Sequence, residues 1–222
     1  MQNFATPGPV SVVLEIPAGA VRLVATERTD TVVDVQPADA SKKRDVKAAE
    51  QTAIAFQDGV LSVTTAESHR VLGGSGALHV TIELPVGSRL DGKAGAAELH
   101  TTGRLGDVAF DGGYTVVSIE EAAGAVLKVH TGDVAINCLT GSAQIRNGKG
   151  DITIAEAHAG QVELRADMGN LSVTAAPGVS ATLDADTAKG RITNTLRNTE
   201  GAAAGLAVKA TTSHGDITAA SL

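Results

Sequence analysis

The 222-residue chain has no tryptophan, one tyrosine and three phenylalanines, so aromatics make up only 2% of it. Hydrophobic residues still reach 43%, and a core must therefore be built from Val, Ile, Leu and Ala. The shortage argues against a sugar site, which usually presents carboxylates beside aromatic platforms. Cysteine is nearly absent too. Cys138 stands alone and forms no intrachain disulfide. Its neighbours Asn137 and Leu139 bring no charge that would lower its pKa, so it reads as a small buried residue, not a reactive thiol. There is no excess of cations. With 18 Lys and Arg against 25 Asp and Glu, the net charge is -7, which argues against general affinity for nucleic acid or anionic membrane. No apolar run approaches a membrane span. The opening "MQNFATPGPVSVVLEIPAG" has neither a basic start nor a long apolar stretch, and the expectation is a cytoplasmic protein.

Helix signals are scarce as well. The best, Ala38 to Gln51, is charged and lacks a 3.6-residue apolar stripe, so it reads as a solvated loop with one helical turn. Strand signals are frequent. "VSVVLEI", "AVRLVAT", "TVVDVQ", "LSVTT" and "LHVTIEL" alternate or run β-branched, with Pro and Gly between them. Pro17-Ala18-Gly19 and Gln57-Asp58-Gly59 read as hairpin turns. "RVLGGSG", Arg70 to Gly76, reads as a flexible connection. It has no Lys-Ser/Thr after its glycines and so is no phosphate loop.

After Pro85 a turn recurs: Gly106-Asp107, Gly132-Asp133, Gly150-Asp151, Gly169-Asn170, Gly190-Arg191 and Gly215-Asp216. The intervals between these glycines are 26, 18, 19, 21 and 25 residues. Before each of the last five turns stands a second short strand: "VLKVH", "AQIRN", "VELRA", "ATLDA" and "LAVKA". A period of about 20 residues with two strands matches one coil of a β-solenoid. The predicted fold is all-β. Residues 85–222 form the solenoid, and residues 1–84 form antiparallel strands that continue or cap it. Alternation points Ile152, Ile154, Val162, Leu164, Leu171, Val173, Leu183, Ile192, Val208 and Ile217 inward.

The opening "FATPGPVSVVLEIPAGAVRLVATERTDTVVDVQP", the join "VTIELPVGSRL" and the turns "TGDVAI", "KGDITI" and "HGDITA" resemble the bacterial putative-adhesin domain family of unknown function. The resemblance covers nearly the whole chain. It implies an all-β, solenoid-like fold and brings no established catalytic residues.

The Gly-Asp turns are the first candidate site. Calcium solenoids supply several oxygens per ion from a nine-residue repeat. Here each coil offers one residue, read along the chain as Asp151, Asn170, Arg191 and Asp216, so the turns read as structural and calcium is not expected. The second candidate is a basic stripe before the turns, His130, Arg146, Arg165 and Lys209, interrupted by Asp184. It would grip an anionic partner, or merely solvate a sheet face. The histidines show no metal-ligand spacing, and no nucleophile elbow occurs, so no catalytic residue, metal or cofactor is expected. The last coil ends at Leu222 with nothing to cover it, and its edge is expected to lie open. The expected function is a non-catalytic scaffold or protein-interaction module, working through a flat face or this open end, with itself or another protein as partner. The alternatives are a polymer-forming cytoskeletal solenoid of the bactofilin kind and a carbohydrate-binding or carbohydrate-active solenoid.

Overall fold

The computed structural model describes residues 1–65 and 76–222. All but the last residue of the expected connection at 70–76 lie outside the described residues. In chain order the elements are β1 (Gln2–Ala5), β2 (Ser11–Thr26), β3 (Asp30–Pro37), α1 (Lys43–Glu50), β4 (Thr52–Gln57), β5 (Val60–Thr65), β6 (Leu78–Pro85), β7 (Arg89–Tyr114), β8 (Val117–Thr131) and β9 (Val134–Leu139). They continue with β10 (Ala143–Lys149), β11 (Ile152–Ala157), β12 (Gly160–Met168), β13 (Leu171–Ala175), β14 (Ala181–Lys189), β15 (Ile192–Thr195), β16 (Leu206–His214) and β17 (Ile217–Ser221).

The chain is a β-solenoid with two parallel walls. The first wall runs β5, the start of β2, both ends of β7, the end of β8, then β10, β12, β16 and β14. The second runs β6, the end of β2, the middle of β7, the start of β8, then β9, β11, β13, β17 and β15. Alternation explains the packing. Every second residue faces the partner wall, and Val, Ile, Leu and Ala stack in columns along the inside. The long strands β2, β7 and β8 pass from one wall to the other without a break. Pro17-Ala18-Gly19 is therefore a corner inside β2, not a hairpin turn. Gln57-Asp58-Gly59 does join an antiparallel pair, β4 and β5, with Asp58 and Gly59 at φ 51° and 78°.

The expected boundary near residue 84 does not divide the sheet. β2 pairs in parallel with β5, β6 and β7, so parallel coiling begins at Ser11. Among the described residues, antiparallel pairing is confined to the rim at this end: β4 on β5, β3 on β6 and β1 on β3. Phe4 of β1 and Phe56 of β4 meet with ring centroids 5.4 Å apart and, partly buried, pack against the core at this end. Residues 43–50 form a helix where a loop was expected. Only a narrow face of it is used: Ala48 is buried and the Asp45 carboxylate accepts the Ala77 N–H at 3.1 Å. That face is too short to leave an apolar stripe in the sequence.

At the other end the coils do not follow chain order. The rung β16–β17 inserts between β12–β13 and β14–β15. Gly169 N–H donates to His214 O at 2.8 Å, and Gly215 N–H donates to Lys189 O at 2.9 Å, across the two new junctions. The open rung is thus β14–β15, residues 181–195, and the expected open C-terminal coil is an inner one. The inward residues give the reason. In β16–β17 they are Leu206, Val208, Ala210, Thr212, Ile217 and Ala219, all buried. At the position level with Ala219, β15 carries Asn194, whose amide would be costly to enclose between two rungs. Leu183 and Ile192, both expected inside, share this end. Ile192 is 42% exposed, whereas its neighbour Ile217 is 1% exposed.

This placement predicts unequal costs for the same truncation. Ile154→Ala, fully buried between two rungs, should lower the unfolding free energy by about 2–5 kcal/mol in denaturant titration. Ile192→Ala should cost about 1 kcal/mol or less. Equal losses would contradict a terminal position for β15.

Candidate functional site

The Gly-Asp turns form one corner of the solenoid. Gly132, Gly150, Gly169 and Gly215 adopt φ of 135°, 134°, 152° and 149°, and a Cβ at each would run into the backbone carbonyl of the rung before it. Only glycine lets the corners approach so closely. The next residue ties the rungs together. Asp133 Oδ1 accepts the Asp151 N–H at 2.9 Å, and Asp151 Oδ1 accepts the Asn170 N–H at 2.7 Å. Asn170 Oδ1 accepts the Asp216 N–H at 2.9 Å, and Asp216 Oδ1 accepts the Arg191 N–H at 2.8 Å.

In space the column therefore runs Asp133, Asp151, Asn170, Asp216, Arg191. Arg191 no longer interrupts it. It stands on the last rung, where no further N–H needs an acceptor. Gly190, also on the last rung, lies outside the left-handed region. Gly106-Asp107 does not belong to this corner. Val108 pairs with Ala125 on the first wall, whereas Val134 pairs with Val117 on the second. Gly106 sits within β7 at the opposite corner, and Asp107 Oδ2 lies 3.5 Å from Arg89 Nε. The long interval of 26 residues before Gly132 is one coil plus part of another.

The basic stripe is also re-sorted. Register aligns Lys128, Arg146, Arg165, Thr211 and Asp186 in one outward-facing column. Lys209 stands in the next column, between Glu163 and Asp184. His130 lies two residues beyond Lys128 along β8. Arg146 and Arg165 are thus brought together, while His130 and Lys209 are not. Lys128 was missed, although every member of the column lies four residues before its turn glycine. That constant count was the available signal. Lys128 Nζ is held by Asp111 Oδ2 at 3.3 Å, and Gln144 donates to Glu163 at 3.3 Å.

Cys138 on β9 stands in register between Glu121 and Glu156, half-buried. Burial pushes its thiol pKa up, and the two carboxylates push it further in the same direction. A raised pKa keeps the thiol protonated at neutral pH. Alkylation by iodoacetamide at pH 8 should therefore run several-fold slower than for free cysteine. A rate equal to or above that of free cysteine would contradict this environment.

The terminal rung differs from these places because its backbone is open. Ser180 O accepts from Leu206 N–H and Arg191 O accepts from Ile217 N–H, both directed inward along the stack. In a parallel ladder the alternate residues point their groups the other way. The outward N–H and C=O groups accordingly belong to Leu183, Ala185 and Thr187 on β14 and to Ile192 and Asn194 on β15. Between these strands lie the partly exposed side chains of Leu183, Ala185 and Ile192. The Ala181 N–H is taken by Arg197 O, and Leu196 packs against the core beside it. From Leu183 onward the site combines a free pairing edge with a partly exposed apolar interior. Among the described residues, no helix is long and apolar enough to cross a membrane, and no three His, Cys, Asp or Glu side chains are grouped to hold a metal.

A corner held by one carboxylate per rung predicts a modest, additive cost when it is cut. Asp151→Ala should destabilise the fold by about 1–2 kcal/mol in denaturant titration, since it leaves the Asn170 N–H without its acceptor. Gly150→Ala should cost more, about 3 kcal/mol, because both its φ and the neighbouring backbone oppose a side chain. The reverse order would contradict this geometry.

Comparison with curated proteins finds no match. Among solved structures, a putative adhesin from Bacteroides fragilis aligns with a TM-score of 0.51 and 12% identity, over 98% of this chain and 95% of that one. A putative cell adhesion protein from Clostridium sporogenes aligns at 0.43 and 11%, over 100% and 98%. A putative adhesin from Parabacteroides distasonis aligns at 0.45 and 10%, over 98% and 95%. At such identity the first of these shows a shared fold alone. The family described as Toastrack DUF4097 matches residues 9–220, from the start of the parallel coils to the last strand, and the chain belongs to that family.

Proposed function

We propose that the protein is a non-catalytic interaction module that engages another protein chain through its terminal rung, β14–β15. One observation carries the reading: at this end Leu183, Ala185 and Ile192 stay partly exposed beside a parallel edge that is free from Leu183 onward, whereas at the other end Phe4 and Phe56 pack over the core. An exposed edge is a ready template for strand addition. The main chain would supply hydrogen bonds, and Leu183 and Ile192 would supply apolar contact. The charged sheet faces give a weaker case, because the acids Asp111, Glu163 and Asp184 stand in and beside the basic column.

Asn194→Pro tests this. It removes an outward N–H from β15 and leaves the inward ladder intact. With immobilised protein and extract of its own host, a protein partner retained by the wild type should fall about tenfold or more with the variant, or about 1.4 kcal/mol in binding. Equal retention by both would remove the reading, as would no retained protein together with a chain that stays monomeric at about 100 μM.

A further inference from the structure

We propose that the terminal rung docks against the same rung of a second copy, β14 of each protomer pairing antiparallel with β15 of its partner. This names the occupant of the site proposed above and rests on that reading. An end with two strands can meet its own copy coaxially in two ways. A two-fold axis perpendicular to the walls lays β14 on β14. A two-fold axis along the strands lays β14 on β15. Both arrangements are isologous and closed, so neither grows into a fibre.

Charge chooses between them. Asp184 and Asp186 are both exposed on the outer face of β14. Laying β14 on its copy, centred on Ala185, sets Asp184 opposite the partner's Asp186, and the symmetry repeats the clash. Like charges directly opposite in a ladder are destabilising. Laying β14 on the partner's β15 removes that clash. Pairing Leu183 with the partner's Asn194 and Ala185 with the partner's Ile192 joins residues whose outward N–H and C=O groups are free on both sides. The same register sets Asp184 opposite the partner's Thr193, and Asp186 opposite the partner's Arg191.

The corner ladder supports the last pair independently. At every rung from Asp133 to Asp216 the side chain at this corner reaches along the stack to the next rung. Arg191 occupies that position on the last rung, so a cation stands where the column meets whatever comes next. A further rung of the same chain type would need an acceptor there, as Asp216 provides for Arg191. An arginine provides none. It does suit a carboxylate from the facing copy. The apolar inward groups meet as well, since Ile192 would cover the partner's Ala185 and be covered in return. Head-to-tail growth is disfavoured, because the opposite end presents an antiparallel rim that carries Phe4 and Phe56.

The interface is the cross-section of one coil, well below the size of standard stable interfaces, so the dimer should be weak and concentration-dependent. Sedimentation equilibrium on the full chain tests it. The wild type should shift from 22.3 kDa toward twice that mass as concentration rises to about 100 μM. Asp186→Arg and Arg191→Asp should each raise the dissociation constant about tenfold or more, and the double variant should restore it. Rescue by the double variant separates a lost ion pair from a damaged fold. A wild type that stays monomeric throughout, a dimer indifferent to both single reversals, or growth beyond two copies would each overturn the proposal. A monomer whose binding to another protein is still lost on Asn194→Pro would overturn only the second copy as occupant. Loss of both results would remove the interaction reading itself.

Discussion

The structure depends on in-register stacking of parallel rungs, about 4.8 Å apart. Once the ladder is set, every residue has a like-placed neighbour above and below it, and each column is either wholly favourable or wholly costly. Inside, this produces the aliphatic columns through Ile152, Leu171 and Ile217. At one corner it produces the glycine column, where positive φ and close backbone approach permit no side chain. Beside it stands the carboxylate and amide column, where each side chain satisfies the next rung's N–H. A stack of acids would repel itself if the carboxylates faced one another freely. Here each commits an oxygen to a backbone donor, and Asn170 breaks the charge midway.

Stacking also creates the protein's main problem, which is how to stop. The two ends solve it differently. At one, antiparallel strands and a pair of phenylalanines pack over the core, and two of the chain's few aromatics are used there. At the other, the most polar rung is placed outermost by routing the chain past it and back. Asn194 and the acids of β14 then face water, and the apolar last coil is enclosed between two neighbours. That choice leaves an edge open at this end, whereas the strands within the walls are paired on both sides.

Much of the fold was legible from residue order. Period-two alternation and a Gly-polar turn about every 20 residues identified a solenoid and most of its inward residues. Misreadings arose where local sequence is degenerate. Gly106-Asp107 looks like the other turns but lies at the opposite corner, because both corners use small and polar residues. Charge aligns His130 and Lys209 with Arg146, whereas the ladder counts four residues from each turn glycine and selects Lys128 and Thr211. Pro17-Ala18-Gly19 resembles a hairpin, yet a solenoid corner needs the same small residues without reversing onto its own strand. The helix at 43–50 was hidden because so little of it is buried.

The sequence by itself determined the class of structure. A glycine that must take positive φ, a carboxylate next to it and alternating β-branched residues are local requirements, each readable within one coil. The spatial order of the coils was decided only by the tertiary structure. Parallel rungs of nearly equal width are interchangeable as far as local pattern goes. The order is set by which inward side chains can bear a neighbour on both sides, and Asn194 against Ala219 is a difference felt only once the rungs are stacked.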